Sequence, residues 1–509
     1  MNVRYLDAIA AHAQHAPDRA ALRDAHGEVS YGELWSTASR VADGLRQRGM
    51  RPGDRVVTAL PPGAAHLTVI FGVMLAGAVA APLNIKLTVP EVRRYLEPVR
   101  PALVVADPDH ADLVDERSQR RLVLPSHVAG EGPLSTLEGL VVDRSASAPA
   151  AGPNLSEVDP ASGAILFGTG GTTGLPKAAC WTHQSLWLYG AACVGAMEVR
   201  RTDVELFFSP FFHIALVTGP FGTLFAGGTC HFLAQFSEEA VLRAVTGGTV
   251  TRFFGAPTAL SRLIEHPDCR PESTLNIRRI LFGSTRSEPD LPDRLRAAFP
   301  NAELITGYGA TEFGAVARLR SWEMVDGMDQ GVGAPVPGVV LRIVDPAGEP
   351  VPTGGVGEIV VHAPWQISGY AGSPDQTAQG LLGGGIRSGD LGFLDEAGYL
   401  HLRGRSKDVV ITGGENVFPV EVENALAAHP GVAQAAVFGT ADLTWGERVE
   451  AALVPRAGID LDLDEVRRFC RERLAAYKVP KVFHVLPELP LTATMKVDKR
   501  RLRELAGAA

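Results

Sequence analysis

The sequence predicts an α/β fold with two or more domains. At 509 residues the chain is too long for one hydrophobic core, because single cores stop growing at about 250–300 residues. Near the start, helical and strand-like segments alternate: Tyr31–Arg46 has helical periodicity, Arg55–Leu60 is typical of a strand, Val69–Ala81 of a buried helix, and Leu103–Ala106 of a buried strand. Such alternation is typical of an α/β domain.

Composition and charge exclude several classes of protein. Hydrophobic residues make up 46% of the chain and charged residues 21%, as in ordinary globular enzymes. The net charge of −9 argues against a nucleic-acid-binding protein, whose surface would be basic. No apolar run reaches the ~18 residues that span a bilayer, and no signal-type apolar core follows Met1, so we expect a cytoplasmic protein. The five cysteines are Cys180, Cys193, Cys230, Cys269 and Cys470, and no two of them form a CxxC pair. This spacing indicates reduced thiols and no metal-binding framework.

A glycine-rich loop follows the predicted buried strand Ala164–Phe167. Residues Phe167–Lys177 read Phe-Gly-Thr-Gly-Gly-Thr-Thr-Gly-Leu-Pro-Lys. Glycines let backbone N–H groups approach an anion, threonine hydroxyls donate to phosphate oxygens, and Lys177 adds a positive charge. Alone, the loop is equally compatible with a glycine-rich surface turn. It is not the common P-loop, because Pro176 precedes the lysine and Ala178 follows it.

The loop resembles the phosphate loop of the adenylate-forming superfamily, which includes acyl-CoA synthetases, peptide-synthetase adenylation domains and firefly luciferase. Relatives usually carry serine at the position of Gly170 and glycine at that of Ala178. Further motifs follow in the expected order over essentially the whole chain. The resemblance, to the acyl- or aryl-CoA ligase branch, implies these phosphate contacts: Thr169, Gly170, Gly171, Thr172, Thr173, Gly174 and Lys177.

The same resemblance implies two domains. A large N-terminal domain of several subdomains, residues 1–405, would bind ATP and the carboxylate. A small, mobile α+β domain, residues 406–509, would follow the hinge signature Gly404–Pro419. A rotation needs a few boundary residues that absorb a large change in φ and ψ, and Lys407 holds that position.

A second strong motif, Leu304–Glu312, brings glycines, a ring, a hydroxyl and a carboxylate into one turn. A carboxylate beside a triphosphate requires a cation, and Mg²⁺ takes one or two carboxylates plus phosphate oxygens. With the resemblance, the motif implies these roles: Glu312 and Thr172 for Mg²⁺, Thr311 as a phosphate or carboxylate donor, and Gly307, Tyr308 and Gly309 against the adenine.

Further motifs imply contacts to the acyl group and the ribose. In Ser209–His213 the match to the family's aromatic-histidine motif places His213 by the carboxylate pocket, where aromatic rings exclude water from the acyl group. Asp390 is the predicted ribose clamp and Arg405 a second ribose or phosphate contact. The segment Ile367–Tyr370 is predicted to be structural. Ser284, Thr285 and Arg286 form a polar segment at the position where relatives contact the adenine and the acyl group. The Arg286 side chain is either solvated or turned inward.

Positions that contact coenzyme A in relatives are only partly matched. Gly413 and Gly414 would let the pantetheine arm pass close to the backbone, and Trp445 and Tyr477 hold positions that contact the CoA nucleotide in aryl-CoA ligases. Val479 replaces a basic residue that is common there. The acceptor is therefore left open between CoA and a carrier protein.

The final motif, Leu489–Asp498, places Lys496 at the position of the catalytic lysine. Met495 replaces the usual glycine, so this loop has less access to positive φ. The adenylation step would then be slow, or the loop would use another geometry.

Together these motifs imply an ATP-dependent acyl-CoA ligase, a monomer or homodimer. A carboxylate attacks the α-phosphate of ATP to give an acyl-adenylate and pyrophosphate, and CoA then displaces AMP. Three alternatives stay open: loading of a carrier protein, ligation from a preformed adenylate with weak adenylation, and nucleotide binding without catalysis. The motif variants favour an aryl, alicyclic or medium-sized acyl group. The predicted catalytic residues are Lys496, His213, Glu312, Thr311 and Lys177.

Overall fold

The computed structural model describes residues 2–114, 120–127, 130–141, 155–169, 177–283, 290–324, 331–491 and 497–507. The chain divides into two compact units. The large unit comprises residues 1–327, 333–340 and 361–386, and the small unit comprises residues 328–332, 341–360 and 387–509. The predicted α/β class, with a large N-terminal and a small C-terminal part, is confirmed. The predicted domain boundary between residues 405 and 406 is placed at the hinge of a domain rotation, and it stays a prediction.

The helices and strands are as follows. The helices are α1 Tyr5–His15, α2 Tyr31–Gln47, α3 Ala64–Leu75, α4 Val89–Val99, α5 His183–Ala196, α6 Gly222–Phe225, α7 Glu238–Thr246, α8 Pro257–Glu265, α9 Leu291–Ala298, α10 Pro374–Gln379, α11 Pro419–Ala427, α12 Leu463–Arg471 and α13 Lys499–Gly507. The strands are β1 Ala20–Asp24, β2 Gly27–Ser30, β3 Arg55–Ala59, β4 Val79–Pro82, β5 Leu103–Ala106, β6 Arg121–Val123, β7 Gly163–Thr169, β8 Lys177–Thr182, β9 Val204–Phe207, β10 Thr229–Phe232, β11 Arg252–Gly255, β12 Arg279–Phe282, β13 Glu303–Ala310, β14 Gly314–Arg320, β15 Gly331–Pro335, β16 Val340–Val344, β17 Gly357–His362, β18 Gly369–Tyr370, β19 Leu381–Leu382, β20 Gly385–Leu394, β21 Leu400–Arg405, β22 Val410–Thr412, β23 Glu415–Val417, β24 Val432–Asp442, β25 Gly446–Pro455 and β26 Val482–Val485.

Two largely parallel sheets organise the large unit. In the first, the strands lie in the order β14-β13-β12-β11-β9-β10-β1-β2, and the pairs from β13 to β1 are parallel. In the second, the order is β18-β8-β7-β4-β3-β5-β6, and the pairs from β7 to β6 are parallel. Both sheets are lined by buried apolar side chains. Parallel sheets need this cover because their connections run over the faces.

The predicted helix Val69–Ala81 is wrong in its second half. Helix α3 ends at Leu75, and Val79–Pro82 forms the buried strand β4. Gly77 separates them with φ of +75°, a left-handed conformation that glycine adopts without strain. Because the apolar run continues across this turn, hydrophobicity alone does not mark where the helix ends.

A row of four charged side chains, all buried except the half-buried Glu303, crosses the amino ends of four parallel strands. Glu205, Arg252, Arg279 and Glu303 are successive partners in register. Arg252 Nε lies 3.2 Å from Glu205 Oε2, and Arg279 Nε donates to Glu303 Oε2 at 3.0 Å. Both arginines are at most 2% exposed. Each arginine therefore meets its carboxylate only when the strands align at this row, since a one-residue slip turns side chains to the other face.

The small unit contains an α+β sandwich. Its five-stranded sheet has the order β23-β22-β25-β24, with β26 paired to β25. Alternate residues of β24 face opposite sides, so that Val437 packs with residues of α11 and α12, whereas Ala436 and Phe438 pack with Leu502 of α13. Across both units, no helix within the described ranges is long and apolar enough to cross a membrane.

Replacing Arg252 with methionine should destabilise the large unit strongly. The change leaves Glu205 buried without its cation, and breaking a buried ion pair in this way costs about 3–5 kcal/mol. The loss is measured as a lower midpoint of urea unfolding. The double variant Arg252→Met/Glu205→Leu should recover most of it. Arg296→Met, which breaks an exposed pair with Asp293, serves as the control and should cost about 0–1 kcal/mol. Equal losses in the two single variants would contradict a role for the buried row.

Candidate active site

Several predicted site segments lie at the carboxyl edge of the first sheet. Phe282 of β12 is in register with Thr306 of β13, so the segments that follow these strands emerge side by side. His213 follows β9, Gly283 follows β12, and Tyr308 lies further along β13. Ligands of parallel α/β sheets bind at the carboxyl ends of the strands, which makes this edge the candidate site. Three predicted contacts lie outside the described residues: Ser284, Thr285 and Arg286.

The glycine-rich segment connects two antiparallel strands. Thr169 ends β7, Lys177 begins β8, and the two residues are partners in register. A hairpin stem therefore holds both ends of the predicted phosphate loop. The Lys177 Nζ lies 4.7 Å from the centre of the Tyr370 ring. The remaining predicted phosphate contacts lie outside the described residues: Gly170, Gly171, Thr172, Thr173 and Gly174.

The turn between β13 and β14 presents Glu312. Trp181 of β8 donates its Nε1–H to the Thr311 carbonyl at 3.0 Å, so the turn is tied to the strand that begins with Lys177. Ile367 N–H donates to the Glu312 carbonyl at 2.9 Å. The Glu312 Oε1 accepts a hydrogen bond from the Tyr370 hydroxyl at 2.8 Å.

The predicted adenine-contact motif lies in the antiparallel pair β13–β14. Gly307 and Gly309 sit so close to β14 that a Cβ on either would come within 2.3 Å of a backbone oxygen. Tyr308 is only 6% exposed and packs against Phe313, with ring centroids 5.9 Å apart. The two glycines thus permit β13 and β14 to lie close together, and the Tyr308 ring is packed at this edge of the sheet.

The residues present fit a magnesium ion whose ligands include phosphate oxygens of the substrate as well as a protein carboxylate. The described part of the chain contains no cluster of three or more histidine, cysteine, aspartate or glutamate residues able to hold a metal. Mg²⁺ sites that use substrate phosphates need only one or two carboxylates. Glu312 is half-buried, and among the described residues its second oxygen, Oε2, receives no hydrogen bond.

The segment after β9 supplies a histidine in front of an aromatic wall. Ala215 N–H donates to His213 Nδ1 at 3.2 Å, so a neutral ring carries its proton on Nε2. Phe211 is buried and packs against Phe232 and His66, with ring centroids 5.3 and 4.9 Å apart. The position of the Phe211 ring is therefore fixed by its packing against Phe232 and His66.

A π-helical turn, Val217–Phe221, continues this segment. Within residues 214–222, Thr218 alone is half-exposed and the others are buried. Turns of this kind occur frequently at functional sites. Thr218 is therefore a polar group in an otherwise apolar stretch beside His213.

The predicted ribose contacts Asp390 and Arg405 are brought together in the small unit. They are partners in the antiparallel pair β20–β21, and Arg405 Nε lies 3.2 Å from Asp390 Oδ1. Asp390 N–H donates to Ser388 Oγ at 3.0 Å. Lys407, the predicted hinge residue, is exposed in a short 3₁₀ turn directly after β21.

The predicted CoA-contact residues are partly brought together. Gly413 and Gly414 form the turn between β22 and β23 with φ of +59° and +83°, as tight hairpin turns require. Gly413 N–H donates to the Trp445 carbonyl at 2.8 Å, and a Cβ on Gly413 would come 2.9 Å from the indole. Trp445 and Tyr477 are exposed. Lys496 lies outside the described residues, but Leu491 and Val497 form a bridge across its loop.

Tyr370 lies in a segment predicted to be structural, yet it contacts both Lys177 and Glu312. The sequence carries no local signal for this contact, because the partners of Tyr370 lie in distant segments of the chain. The contact joins residues 58 positions apart and depends on strand pairing.

A large α/β unit followed by a small α+β unit, with predicted acyl and nucleotide segments at a sheet edge of the large unit, is the architecture of an adenylate-forming enzyme. The AMP-binding enzyme family profile matches residues 9–371, and that of the AMP-binding enzyme C-terminal domain matches residues 421–496. The chain belongs to the AMP-binding enzyme family.

Full-length relatives agree with this assignment. The chain is 36% identical to a feruloyl-CoA synthase of an Amycolatopsis species over 499 residues, which cover 97% of both chains. It is 30% identical over 504 residues to the fatty acid–[acyl-carrier-protein] ligase ScoC of Streptomyces coeruleorubidus, covering 97% of this chain and 94% of the relative. The crystal structure of ATP-bound MatB from Rhodopseudomonas palustris superimposes with a TM-score of 0.88 at 30% identity and covers 99% of each chain. The predicted class, an AMP-forming acyl-CoA ligase, is confirmed.

The buried histidine behind Phe211 should make the protein less stable in acid. Burial lowers the pKa of His66 to about 3, and its ring nitrogens lie 2.8 Å from Thr58 Oγ1 and 3.2 Å from the Pro61 carbonyl. The unfolded chain therefore binds a proton here that the folded chain does not, so stability falls as the pH drops from about 6.5 towards 3. In His66→Gln, which removes the titration, the melting temperature should decline less between pH 6.5 and 4.5. The exposed His15→Gln is the control, and equal slopes in all three proteins would contradict the prediction.

Proposed function

We propose that this chain joins an aromatic carboxylic acid to coenzyme A, using ATP and Mg²⁺ and releasing AMP and pyrophosphate. The observation that carries the proposal is that Lys177 and Glu312 both contact Tyr370, Lys177 over the ring and Glu312 at the hydroxyl. A cation for phosphate oxygens and a carboxylate for a metal ion stand together, as magnesium–ATP requires. The 36% identity to a feruloyl-CoA synthase supports an aromatic acid.

The acyl group is proposed to lie against the aromatic segment after β9. Phe212 and His213 are half-exposed, whereas Phe211 behind them is buried. Apolar walls with a few polar groups are typical of small-molecule sites. Thr218 would then contact a polar substituent of the ring, since it is the half-exposed hydroxyl of an otherwise buried stretch.

In the first half-reaction the protein acts by charge neutralisation and alignment. Lys177 and the threonines of the glycine-rich loop hold phosphate oxygens. Glu312 and Thr172 would hold Mg²⁺, which would supply positive charge to neutralise the phosphates. Thr311 donates to a phosphate or to the carboxylate. Adenine contacts come from the β13 motif and from Ser284, Thr285 and Arg286. Asp390 accepts the ribose hydroxyls, and Arg405, its ion-pair partner, contacts the ribose or a phosphate.

In the second half-reaction the C-terminal domain is proposed to rotate about Lys407. Rotation withdraws Lys496 and presents the turn Gly413–Gly414 to the pantetheine arm. Trp445 and Tyr477 then contact the CoA nucleotide. His213, whose Nδ1 accepts from the Ala215 N–H, would lie beside the substrate carboxylate.

A carrier protein is the second candidate acceptor. It is favoured by the 30% identity to the fatty acid–[acyl-carrier-protein] ligase ScoC and by Val479, which is buried and supplies no charge for a CoA phosphate. Thioester formation on CoA and on a phosphopantetheinylated carrier, measured in parallel, separates the two acceptors.

Lys496→Ala should slow adenylation by roughly 10²–10³, the scale for one residue that stabilises charge in a transition state. The measurement is pyrophosphate release with saturating acid and ATP. Thioester formation from a supplied acyl-adenylate should stay within a few-fold of the unaltered enzyme, because Lys496 is withdrawn in that step. Lys481→Ala, at an exposed lysine of the same unit, is the control. An equal loss of rate in both half-reactions would contradict the assignment of Lys496 to adenylation alone.

A screen of carboxylic acids for pyrophosphate release, with and without CoA, tests the substrate class. Ring-substituted arylpropenoic acids should give a burst without CoA and continuous release with it. Acetate and saturated fatty acids should give little. Release with CoA from fatty acids alone would overturn the aromatic assignment.

The same screen tests Thr218. In Thr218→Val, kcat/KM for a ring-hydroxylated acid should fall about tenfold relative to the unsubstituted acid, because one hydrogen bond is lost while the shape is kept. Thr246→Val, at an exposed threonine of α7, is the control. An unchanged ratio would place Thr218 away from the substrate.

A further inference from the structure

The Tyr370 side chain contacts both charged groups of the candidate site, Lys177 and Glu312. The Tyr370 hydroxyl donates to Glu312 Oε1 at 2.8 Å, and the Lys177 ammonium lies over the Tyr370 ring, 4.7 Å from its centre. An ammonium at this distance is attracted by the electron-rich ring face. Lys177 comes from β8 and Glu312 from the turn after β13, so Tyr370 connects two sheets.

The backbone fixes the position of Tyr370 independently of these contacts. Strand β18 pairs with β8, which places Tyr370 opposite Ala179. Tyr370 N–H donates to Thr377 Oγ1 at 2.9 Å. Gly369 has φ of +145°, and a Cβ there would come 2.7 Å from the Thr377 side chain. The ring is therefore held in place before any ligand binds.

The hydroxyl can act on Glu312 only as a donor. A carboxylate offers only acceptor oxygens, so the phenol O–H donates in the 2.8 Å bond to Glu312 Oε1. Its bond to Oε1 fixes the rotation of the carboxylate. Ile367 N–H holds the Glu312 backbone at the same time, through the carbonyl. The oxygen left for a metal ion is Oε2.

We propose that Tyr370 is a positioning residue that orients Glu312 for Mg²⁺ and Lys177 for the phosphates of ATP. The inference rests on the proposed function, in which Glu312 binds the metal. It differs from a purely structural role because the hydroxyl and the ring have separable effects. The hydroxyl sets the metal requirement, and the ring sets the affinity for nucleotide without metal.

Three variants separate these effects. Tyr370→Phe removes the hydroxyl and keeps the ring, Tyr370→Leu removes both, and Glu312→Gln removes the proposed metal ligand. The first readout is the Mg²⁺ concentration for half-maximal pyrophosphate release. The second, independent of turnover, is calorimetric binding of α,β-methylene-ATP with and without Mg²⁺.

Tyr370→Phe should raise the Mg²⁺ requirement about tenfold, the scale of one hydrogen bond to a charged group. Binding of the analogue without metal should not change. Tyr370→Leu should also weaken metal-free binding about threefold, because Lys177 loses the ring. Tyr370→Phe/Glu312→Gln should behave like Glu312→Gln alone, as expected when the tyrosine acts through the glutamate.

The control is Tyr31→Phe, which removes a buried tyrosine hydroxyl that donates to the Gly228 carbonyl at 2.7 Å. It should lower the melting temperature and leave the Mg²⁺ requirement unchanged. If Tyr370→Phe does the same, the hydroxyl is structural and the inference is wrong. If Glu312→Gln leaves the metal requirement unchanged, the proposed metal ligand fails, and the inference fails with it. If the double variant needs more Mg²⁺ than Glu312→Gln, Tyr370 acts by another route, which also overturns the inference.

Discussion

The alignment of four parallel strands depends on charges buried at their amino ends. Arg252 and Arg279 each meet a carboxylate of the neighbouring outer strand, and all four groups share one row of the sheet. Apolar side chains would tolerate several alignments, because any buried position satisfies them. A buried arginine opposite the wrong residue would lose its partner, so the ionic row makes other registers costly. Register at one end fixes register at the other, where the segments of the candidate site begin.

The second constraint is the junction between the two sheets of the large unit. The strand that begins with Lys177 also carries Trp181, which hydrogen-bonds to the turn of Glu312. Tyr370 makes a second connection between the same elements. The groups proposed to bind phosphate and metal thus come from different sheets and are joined by side chains.

Local patterns allowed much of this protein to be predicted from its sequence. The glycine-rich loop and Leu304–Glu312 carry their chemistry in consecutive residues, and the strand Arg55–Leu60 and the helix Tyr31–Arg46 match β3 and α2 closely. The helix Val69–Ala81 was wrong because one glycine turns an unbroken apolar run into a helix and a strand. The contacts of Tyr370 could not be predicted, since they join distant segments.

Other features are matters of tertiary packing rather than of pattern. Asp390 and Arg405 were predicted separately, but their ion pair follows from the register of β20 and β21. Trp445 and Gly413 were both expected near CoA, yet their direct contact arises from a loop meeting a turn. Sequence motifs identify which residues carry the chemistry, and strand pairing decides which of them touch.

The ends of the first sheet separate two kinds of requirement. Residues that enforce alignment occupy the amino ends, and residues proposed to meet the acyl group occupy segments beyond the carboxyl ends. Under the proposed function, a change at Phe212 should alter the fit to a carboxylic acid at little cost to folding, because Phe212 is not part of the ionic row. Such a scaffold is readily diversified: new substrate preferences can arise by single steps in loops, each of which leaves a folded protein for selection or for the engineer to act on.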